Sequence, residues 1–400
     1  MKLLKKDFPF FSNNPNLVYA DNAATTQKPQ QVIDRINHFY THENAPVYRG
    51  VYALAEQATT HFEAVRTLVK DFIGAADASE IIFMPNATAG INLVARAWAK
   101  NILQPGDEIV LTELEHHSNL VPWLQVAQET GAVIKYIPVL KNGDLDYTNL
   151  EKTITAKTKI VAATALSNVT GAEVDLKKLQ ERAHEVGAAI LVDACQSALR
   201  RKINVQAQKI DFLVFSGPKI LGPTGIGVLF AKRKFHEQMT PFYGGGGAVL
   251  SVDYDRVAWR TVPQRFEVGT PDTAAVLGLG AAIEYIQKNI DQEKLTQHEA
   301  GLCKQLIQGL QGIGGVTFLG PTEQLMQRGF IVSFVMDGMH AQDVATYLDK
   351  QNIAVRAGHH CAQPLHTKFG IAASVRVSFC CYSTAEDVER ILAALGQLKR

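Results

Sequence analysis

FLVFSGPKILGPTGIGVLF, residues 212–230, is the stretch that decides the fold of this 400-residue chain. Two apolar runs, 210–215 and 226–230, have the length and composition of buried strands. Between them lie glycines, prolines and a single lysine, Lys219. Burial disfavours a charged ammonium and lowers its pKa, which is the condition for an imine-forming amine. On this stretch alone, a reactive lysine and a surface lysine on a strand-to-strand turn are both open.

Upstream of this stretch, runs of strand length alternate with segments of helical apolar spacing. Strands are predicted at 79–84, 108–112, 133–138, 160–165 and 188–193, and helices at 30–42, 53–72, 91–98, 119–130 and 176–186. The alternation predicts an α/β fold with a mostly parallel central sheet and helices on both faces. Sites in such folds gather at the carboxyl ends of the strands. The candidates at those ends are Thr88, His116, Asn168, Asp193 and Lys219.

Beyond residue 235 the pattern changes to a glycine-rich loop (243–247) and a long helical section from 277 towards 310. The remaining segments predict a smaller C-terminal α+β domain: strands at 330–336, 354–356 and 374–379, and helices at 341–351 and 385–398. We therefore expect an N-terminal arm (1–20) that packs with the small domain, a large domain (21–285) and the small domain itself (286–400).

Composition excludes several function classes. A formal net charge of +1 argues against nucleic acid or an acidic membrane as a partner. The first residues, MKLLKKDFPFFSNNPN, lack the apolar core of a signal peptide, and apolar runs of membrane-spanning length are not seen. Five cysteines, an odd number with no CxxC spacing, fit reduced thiols. These observations predict a cytoplasmic protein.

Three of the candidates suggest a bound cofactor. Asp193 ends a strand and either caps the next segment or holds a pyridine nitrogen protonated beside Lys219. The helix start at 87–90 offers free N–H groups and a dipole that suit a phosphate, as any helix start does. His116, in EHHSN, either stacks on a flat ring or caps a helix.

Six motifs carry a closer resemblance: LEHHSNLVPW, ALSNVTGAEVDL, ILVDACQSA, FSGPKILGPTGIGVL, RFEVGTPDT and AVRAGHHCAQPL. Together they resemble the Suf-type (SufS-like, group II) cysteine desulfurases, which are pyridoxal 5′-phosphate enzymes of the class V aminotransferase family. The resemblance runs from about Val18 to the C-terminus. It implies the fold type I of pyridoxal-phosphate-dependent transferases. It also implies a homodimer that converts L-cysteine to L-alanine and supplies the sulfur for iron–sulfur cluster assembly.

The resemblance also implies which residues surround the cofactor. Lys219 would hold the cofactor covalently and move the substrate Cα proton, Asp193 would lie at the pyridine nitrogen, and Gln196 would lie at the phenolic oxygen. His116 would stack on the ring and act as acid or base at the substrate thiol. Asn168 would also contact the cofactor, Thr88 and Ser216 would bind its phosphate, and Thr270 would bind the phosphate of the partner subunit's cofactor.

For the substrate, the resemblance implies that Asn168 and Arg376 hold the carboxylate and that Arg356 lies beside the reacting sulfur. Cys361 matches the cysteine that accepts sulfur as a persulfide. A thiolate nucleophile needs cationic or polar neighbours and access, and Arg356, His359 and His360 supply such neighbours. The persulfide sulfur would pass to an acceptor protein of the SufU or SufE type.

Three alternatives stay open at this point. Residues 358–361 with His340 could form a zinc site, since the ligand types suit that metal. Selenocysteine lyases, epimerases and aminotransferases share the fold and much of the machinery. Finally, the chain could be a non-catalytic scaffold for sulfur transfer, an interpretation that only Pro218 supports.

Two positions depart from the family's pattern. Pro218 stands where Suf-type enzymes usually have a histidine directly before the lysine, and Ala87 stands where a second threonine is common. Proline has neither an N–H nor a side-chain donor, so a hydrogen bond to the cofactor phosphate is missing. We therefore expect this chain to retain its cofactor less tightly than is usual for the family.

Replacing Pro218 with histidine tests this expectation. The new donor to a charged phosphate should slow cofactor dissociation by roughly tenfold, the effect of one hydrogen bond to a charged group. The dissociation rate is measured by the loss of cofactor absorbance after dilution into a cofactor trap. Dissociation that is unchanged or faster in Pro218→His would contradict the expectation.

Overall fold

The computed structural model describes residues 4–398. Its β-strands, in chain order, are β1 (Val18–Tyr19), β2 (Ile81–Met84), β3 (Glu108–Thr112), β4 (Val133–Ile137), β5 (Thr158–Thr164), β6 (Ala189–Asp193), β7 (Phe212–Ser216), β8 (Gly227–Ala231), β9 (Val249–Val252), β10 (Val257–Trp259), β11 (Val316–Phe318), β12 (Ile331–Met336), β13 (Ile353–Ala354), β14 (Arg356–Gly358) and β15 (Ser374–Ser378).

The α-helices are α1 (Pro9–Asn13), α2 (Gln30–His38), α3 (Ala53–Ile73), α4 (Ala87–Val94), α5 (Lys100–Ile102), α6 (Val121–Thr130), α7 (Leu150–Thr153), α8 (Leu176–Glu185), α9 (Arg233–His236), α10 (Thr273–Asn289), α11 (Gln292–Ile313), α12 (Thr322–Arg328), α13 (Ala341–Lys350), α14 (Gln363–Lys368) and α15 (Ala385–Leu398). Within residues 4–398, no helix is both long and apolar enough to cross a membrane.

A seven-stranded sheet forms the centre of the chain, in the order β2-β8-β7-β6-β5-β3-β4. All pairs from β4 to β7 are parallel, and β8 alone runs against its neighbours β7 and β2. The connection from β7 to β8 is too short for a parallel crossover, so the chain must reverse there. The mostly parallel sheet predicted from the sequence is confirmed, and Lys219 lies in its one short reversal.

Both faces of this sheet are covered by helices, as the continuous apolar runs predicted. Along β2, Ile81 and Phe83 pack in the core with α3, α8 and α10, whereas Ile82 packs in a second core with α4 and α6. Side chains of successive strand residues point to opposite faces, so each strand contributes to both cores. All five residues of β3, β6, β7 and β8 are buried.

A second, four-stranded antiparallel sheet has the order β11-β12-β15-β14. Its apolar face packs with residues of α11, α13 and α15. The N-terminal segment joins this region, because β1 pairs with β13 in parallel and Phe8 packs edge-on against Tyr382, with ring centroids 4.7 Å apart.

The structure differs from the predicted elements at several places. Residues 78–80 form a 3₁₀ turn capped by Asp77 and Glu80, so the predicted strand from 79 begins at Ile81. The predicted strand 354–356 is two strands, β13 and β14, in different sheets. The hairpin β9–β10 was not predicted, because its short strands are largely exposed and show no apolar alternation.

Helix α10 packs closely on α3 at Gly280, where an added Cβ would lie 2.6 Å from a methyl carbon of Val65. We expect Gly280→Ala to destabilise the protein by about 1–2 kcal/mol, because overpacking outweighs the better helix propensity of alanine. Gly301→Ala on the exposed side of α11, where an added Cβ meets no atom within 4 Å, should stabilise it by about 0.5–1 kcal/mol. Urea unfolding midpoints compare the two variants. A Gly280→Ala midpoint at or above wild type would refute the packing argument.

Candidate active site

The carboxyl ends of the parallel strands meet at one edge of the central sheet, above which lies a cavity of about 400 Å³. Its lining joins the ends of the large sheet with side chains from β14, β15 and the turn that follows β14. Ten of the eleven predicted site residues line it: Thr88, His116, Asn168, Asp193, Gln196, Ser216, Lys219, Arg356, Cys361 and Arg376. The eleventh, Thr270, is exposed and borders a separate cavity of about 170 Å³.

Lys219 ends the 3₁₀ turn Gly217–Lys219 that follows β7. Its Nζ donates a hydrogen bond to the carbonyl of Ala24, and burial lowers the pKa of the amine, as the sequence predicted. The turn is held by Thr26, whose N–H and Oγ1 donate to the Pro218 carbonyl at 2.8 and 3.0 Å. A Cβ at Gly217 would come within 2.7 Å of the Pro223 carbonyl, so only glycine fits before Pro218.

Asp193 is the last residue of β6, between β5 and β7. The side chain is buried, and Oδ1 accepts a hydrogen bond from the N–H of Cys195 at 2.9 Å. The carboxylate therefore lies fixed at the floor of the cavity that also holds Lys219. A negative charge in this position suits a protonated ring nitrogen.

Hydroxyl groups and the start of α4 converge at one end of the cavity. Ser216 Oγ accepts from the N–H of Ala87 at 2.9 Å, and Thr88 Oγ1 lies 2.7 Å from Ser118 Oγ. Asn86 caps α4 by accepting from the N–H of Ala89 at 2.9 Å. The positive end of a helix dipole beside three hydroxyls suits a phosphate group.

His116 follows β3 and is fixed by Ser118, whose N–H donates to Nδ1 at 3.1 Å. In the neutral ring the proton therefore sits on Nε2. Burial lowers the pKa of His116, and Asp193 partly opposes this. The preceding Glu115 anchors the segment: Thr112 Oγ1 (2.5 Å), the Thr164 N–H (2.9 Å) and Asn119 Nδ2 (2.6 Å) all donate to its carboxylate.

Arg376, on β15, is buried and projects into the cavity. Its Nη1 donates to the Asn168 carbonyl at 3.0 Å, and its Nη2 donates to Asp21 Oδ1 at 3.1 Å. Arg376 Nε has no hydrogen-bond partner among residues 4–398. This orphaned buried donor fits a bound carboxylate.

Asp21 is a functional residue that the sequence analysis missed. One oxygen of its carboxylate accepts from Arg376, and the other lies 3.5 Å from Arg356 Nη1. A single anion thus orients the two arginines predicted to meet the substrate. The only sequence signal was its position two residues after the short strand β1.

Cys361 lies on a tight turn between β14 and α14, and its side chain is exposed while the residue also lines the cavity. His360 and Cys361 adopt left-handed backbone conformations, with φ of 52° and 57°. Such conformations cost roughly 1–2 kcal/mol for each non-glycine residue. Asn168 Nδ2 contributes to holding the turn by donating to the His360 carbonyl at 2.7 Å.

The zinc alternative has no ligand set in this structure. His340 caps α13 by accepting from the N–H of Gln342 at 3.2 Å, and His360 Nε2 lies 3.0 Å from Ser374 Oγ. In the described part of the chain, no group of three or more metal-ligating side chains is placed to hold an ion.

The residues present fit pyridoxal phosphate. A desolvated lysine, a buried carboxylate, a hydroxyl-lined helix start and Gln196, whose Nε2 donates to the Ala23 carbonyl at 2.9 Å, surround one cavity. The orphaned Nε of Arg376 leaves a donor for a substrate carboxylate beside it.

Comparison with known proteins agrees with this arrangement. The sequence model of the class V aminotransferases matches residues 18–391. The chain is similar to a probable cysteine desulfurase of Synechocystis sp., at 42% identity over 98% of this chain and 94% of that protein. It is also similar to a cysteine desulfurase of Pectobacterium carotovorum, at 40% identity over 99% and 97%.

Solved structures give the same result. The cysteine desulfurase CsdA of Escherichia coli superposes with a TM-score of 0.91 at 36% identity, covering 98% of this chain and 97% of that one. The apo cysteine desulfurase of Thermococcus onnurineus superposes with a TM-score of 0.93 at 38% identity, covering 100% and 98%.

Replacing Asp21 with asparagine tests its part in orienting Arg376. We expect KM for the amino-acid substrate to rise about 5- to 10-fold, since a charge-assisted hydrogen bond that holds the guanidinium is weakened. The rate at saturating substrate should change less, because Asp21 is not among the residues that line the cavity. Steady-state kinetics give both parameters, and an unchanged or lower KM would exclude the proposed orienting role.

Proposed function

The chain belongs to the class V aminotransferase family and, within it, to the cysteine desulfurases, and on that premise we propose that it moves sulfur from L-cysteine to Cys361. The overall reaction is L-cysteine plus the Cys361 thiol to L-alanine plus the Cys361 persulfide. The observation that carries the assignment is that Lys219 and the exposed Cys361 line the same cavity.

The cofactor is pyridoxal 5′-phosphate, which when bound supplies an electron sink that lets the substrate Cα give up its proton and the C–S bond weaken. Lys219 would hold it covalently, Asp193 would pair with its ring nitrogen, and Thr88 and Ser216 would bind its phosphate. Gln196 would reach its phenolic oxygen.

Lys219 moves the proton at the substrate Cα. Burial lowers the pKa of its amine, which raises the fraction of neutral amine able to accept that proton. Arg376 and Asn168 hold the substrate carboxylate, and the orphaned Nε of Arg376 provides a donor for it. His116, which lines the cavity, would face the ring of the bound cofactor, and its Nε2 would exchange a proton with the substrate thiol.

Cys361 then accepts the sulfur. Its Sγ thiolate attacks the substrate sulfur, so that an S–S bond forms as the C–S bond breaks, and the carbon fragment takes up protons to become L-alanine. Arg356 would lie beside the reacting sulfur; its side chain is half exposed, and among residues 4–398 its ion pair is the 3.5 Å contact to Asp21. Its cationic charge favours the thiolate.

We assign the chain to the Suf-type subgroup on its motifs, and the Cys361 turn supports an external acceptor. The turn is docked against Asn168, while the thiol is exposed at the cavity mouth. A docked thiol requires an acceptor that comes to it, such as a carrier protein of the SufU or SufE type feeding iron–sulfur cluster assembly. Because a free Cys361 thiol is needed, we place the reaction in the reducing cytoplasm.

A homodimer accounts for two further features. Large apolar side chains are exposed on the β9–β10 hairpin and beside α3, including Leu250 (73% exposed) and Val51 (97%). Exposed apolar clusters of this kind typify interfaces. Thr270 lies away from the Lys219 cavity, so its proposed contact with a cofactor phosphate requires the partner subunit. Arg66 holds the loop that carries Thr270, because its Nη1 and Nη2 donate to the Glu267 carboxylate at 2.6 and 2.9 Å.

The proposed division into an arm (1–20), a large domain (21–285) and a small domain (286–400) fits the arrangement of the two sheets. Strands β2 to β8 form the large sheet, whereas strands β11, β12, β14 and β15 form the small one. The pairing of β1 with β13 supports an arm that packs with the small domain.

The purified protein tests the assignment directly. It should show the visible absorbance of covalently bound cofactor and release alanine from L-cysteine, and Cys361→Ser should keep the absorbance but lose enzyme-bound persulfide. Selenocysteine as substrate separates desulfurase from selenocysteine lyase, since cleavage of only selenocysteine would reassign the enzyme. A protein without the chromophore would be a scaffold. If Cys361→Ser still formed enzyme-bound persulfide, another residue would be the sulfur acceptor.

Lys219→Ala is the control for the cofactor assignment. It removes the one lysine that lines the cavity among the described residues, so the visible absorbance should disappear while the fold is kept. Persistence of that absorbance would refute Lys219 as the attachment site.

A further inference from the structure

The turn that carries Cys361 is strained, since two successive non-glycine residues have positive φ. A strained turn persists only where neighbouring groups hold it. Its own residues supply one short-range hydrogen bond, from the Ala362 N–H to the His359 carbonyl at 2.9 Å. Further support comes from Asn168 after β5, from His117 after β3, and from Ser374 on β15, whose Oγ lies 3.0 Å from His360 Nε2.

His117 holds the turn at two points, at Cys361 itself and two residues further on at Gln363. Its backbone N–H donates to the Cys361 carbonyl at 2.7 Å. Its imidazole Nε2 accepts from the N–H of Gln363, the first residue of α14, at 3.0 Å. The first contact can be made by any residue except proline, but the second requires an acceptor at the end of this side chain.

The neutral form of His117 is the one that accepts this hydrogen bond, because a protonated ring has donors only. Burial and the neighbouring His359 lower the pKa of His117 and so favour the neutral ring. The titratable groups facing it are His359 on the turn and His116 on its own segment, with ring centroids of the two adjacent histidines 6.4 Å apart.

We propose that His117 is a positioning residue that fixes the backbone of Cys361 against the segment carrying His116, and so sets the thiol for attack on the substrate sulfur. This inference rests on the proposed function. Each of the first three residues of the motif EHHSN then has a different task. Glu115 anchors the segment, His116 faces the cavity, and His117 positions Cys361 relative to this segment.

Two variants at His117 separate the acceptor from the bulk of the ring. In His117→Gln, the amide oxygen reaches the place of Nε2 and can accept from Gln363. His117→Leu has an apolar side chain of similar size and no hydrogen-bond acceptor. We expect His117→Leu to form persulfide on Cys361 about 5- to 10-fold more slowly, the effect of one lost hydrogen bond, and His117→Gln to stay within about threefold of wild type.

A second measurement isolates the turn from the rest of the site. The absorbance change of the holoenzyme on addition of L-cysteine, which reports substrate reaching the cofactor, should be unchanged in both variants. His340→Leu, which removes an exposed helix-capping histidine, is the matched control and should leave both readouts unchanged.

Removing the donor instead of the acceptor gives an independent test. Gln363→Pro deletes the same hydrogen bond, because proline has no N–H to donate to His117 Nε2. It should slow persulfide formation as His117→Leu does, and the double variant should be no slower than either single variant.

The outcomes are distinct. A wild-type protein that forms no persulfide would overturn the proposed function. With persulfide formed by the wild type, a His117→Leu rate equal to wild type would overturn the positioning role. The positioning role would also be overturned if His117→Gln formed persulfide as slowly as His117→Leu, or if the effects of His117→Leu and Gln363→Pro on that rate were additive.

Discussion

Residues Asp21–Thr26 form a short loop whose hydrogen bonds join the two sheets and hold together the residues that line the cavity. Asp21 binds the arginines of β14 and β15, and the carbonyls of Ala23 and Ala24 accept from Gln196 and Lys219. Thr26 fixes the turn after β7. Because buried backbone groups must find partners, the loop satisfies its own polar groups by positioning those of the site.

Five residues of the site could be predicted from the strand pattern, because sites of parallel sheets lie at the carboxyl ends of the strands, whereas the others were implied by the resemblance of the motifs. Asp193 and Lys219 were placed together by the expectation that strand carboxyl ends share an edge, and the structure has them in one cavity. Asp21 could not be predicted in this way, since its partners come from β14 and β15, more than 300 residues away in sequence. Long-range pairing of this kind leaves no local pattern. The hairpin β9–β10 was missed for a different reason: its exposed faces carry no alternation to detect.

The charges around the cavity explain what it binds. Lys219, Arg356 and Arg376 contribute cations, and Asp193 and Asp21 contribute anions at fixed positions. Asp21 is paired with the two arginines, and Asp193 is the residue that we propose for the ring nitrogen of the cofactor, which leaves cationic groups and hydroxyls for a phosphate and a carboxylate. Glu115 remains outside this balance, since burial raises its pKa to about 8 despite the three donors around it. Glu115 instead stabilises the geometry of the site, because its hydrogen bonds tie the ends of β3 and β5 to the segment that carries His116.

The pairing of β1 with β13, followed by the contacts of Asp21 with β14 and β15, has a consequence for biosynthesis. The chain leaving the ribosome can complete the seven strands of the large sheet before residue 232. The loop after β1 must then wait for residues 353–378 to be made before it can settle. A nascent chain therefore carries its reactive amine early but gains the arginines for substrate last. The enzyme becomes competent only when both ends of the chain have met.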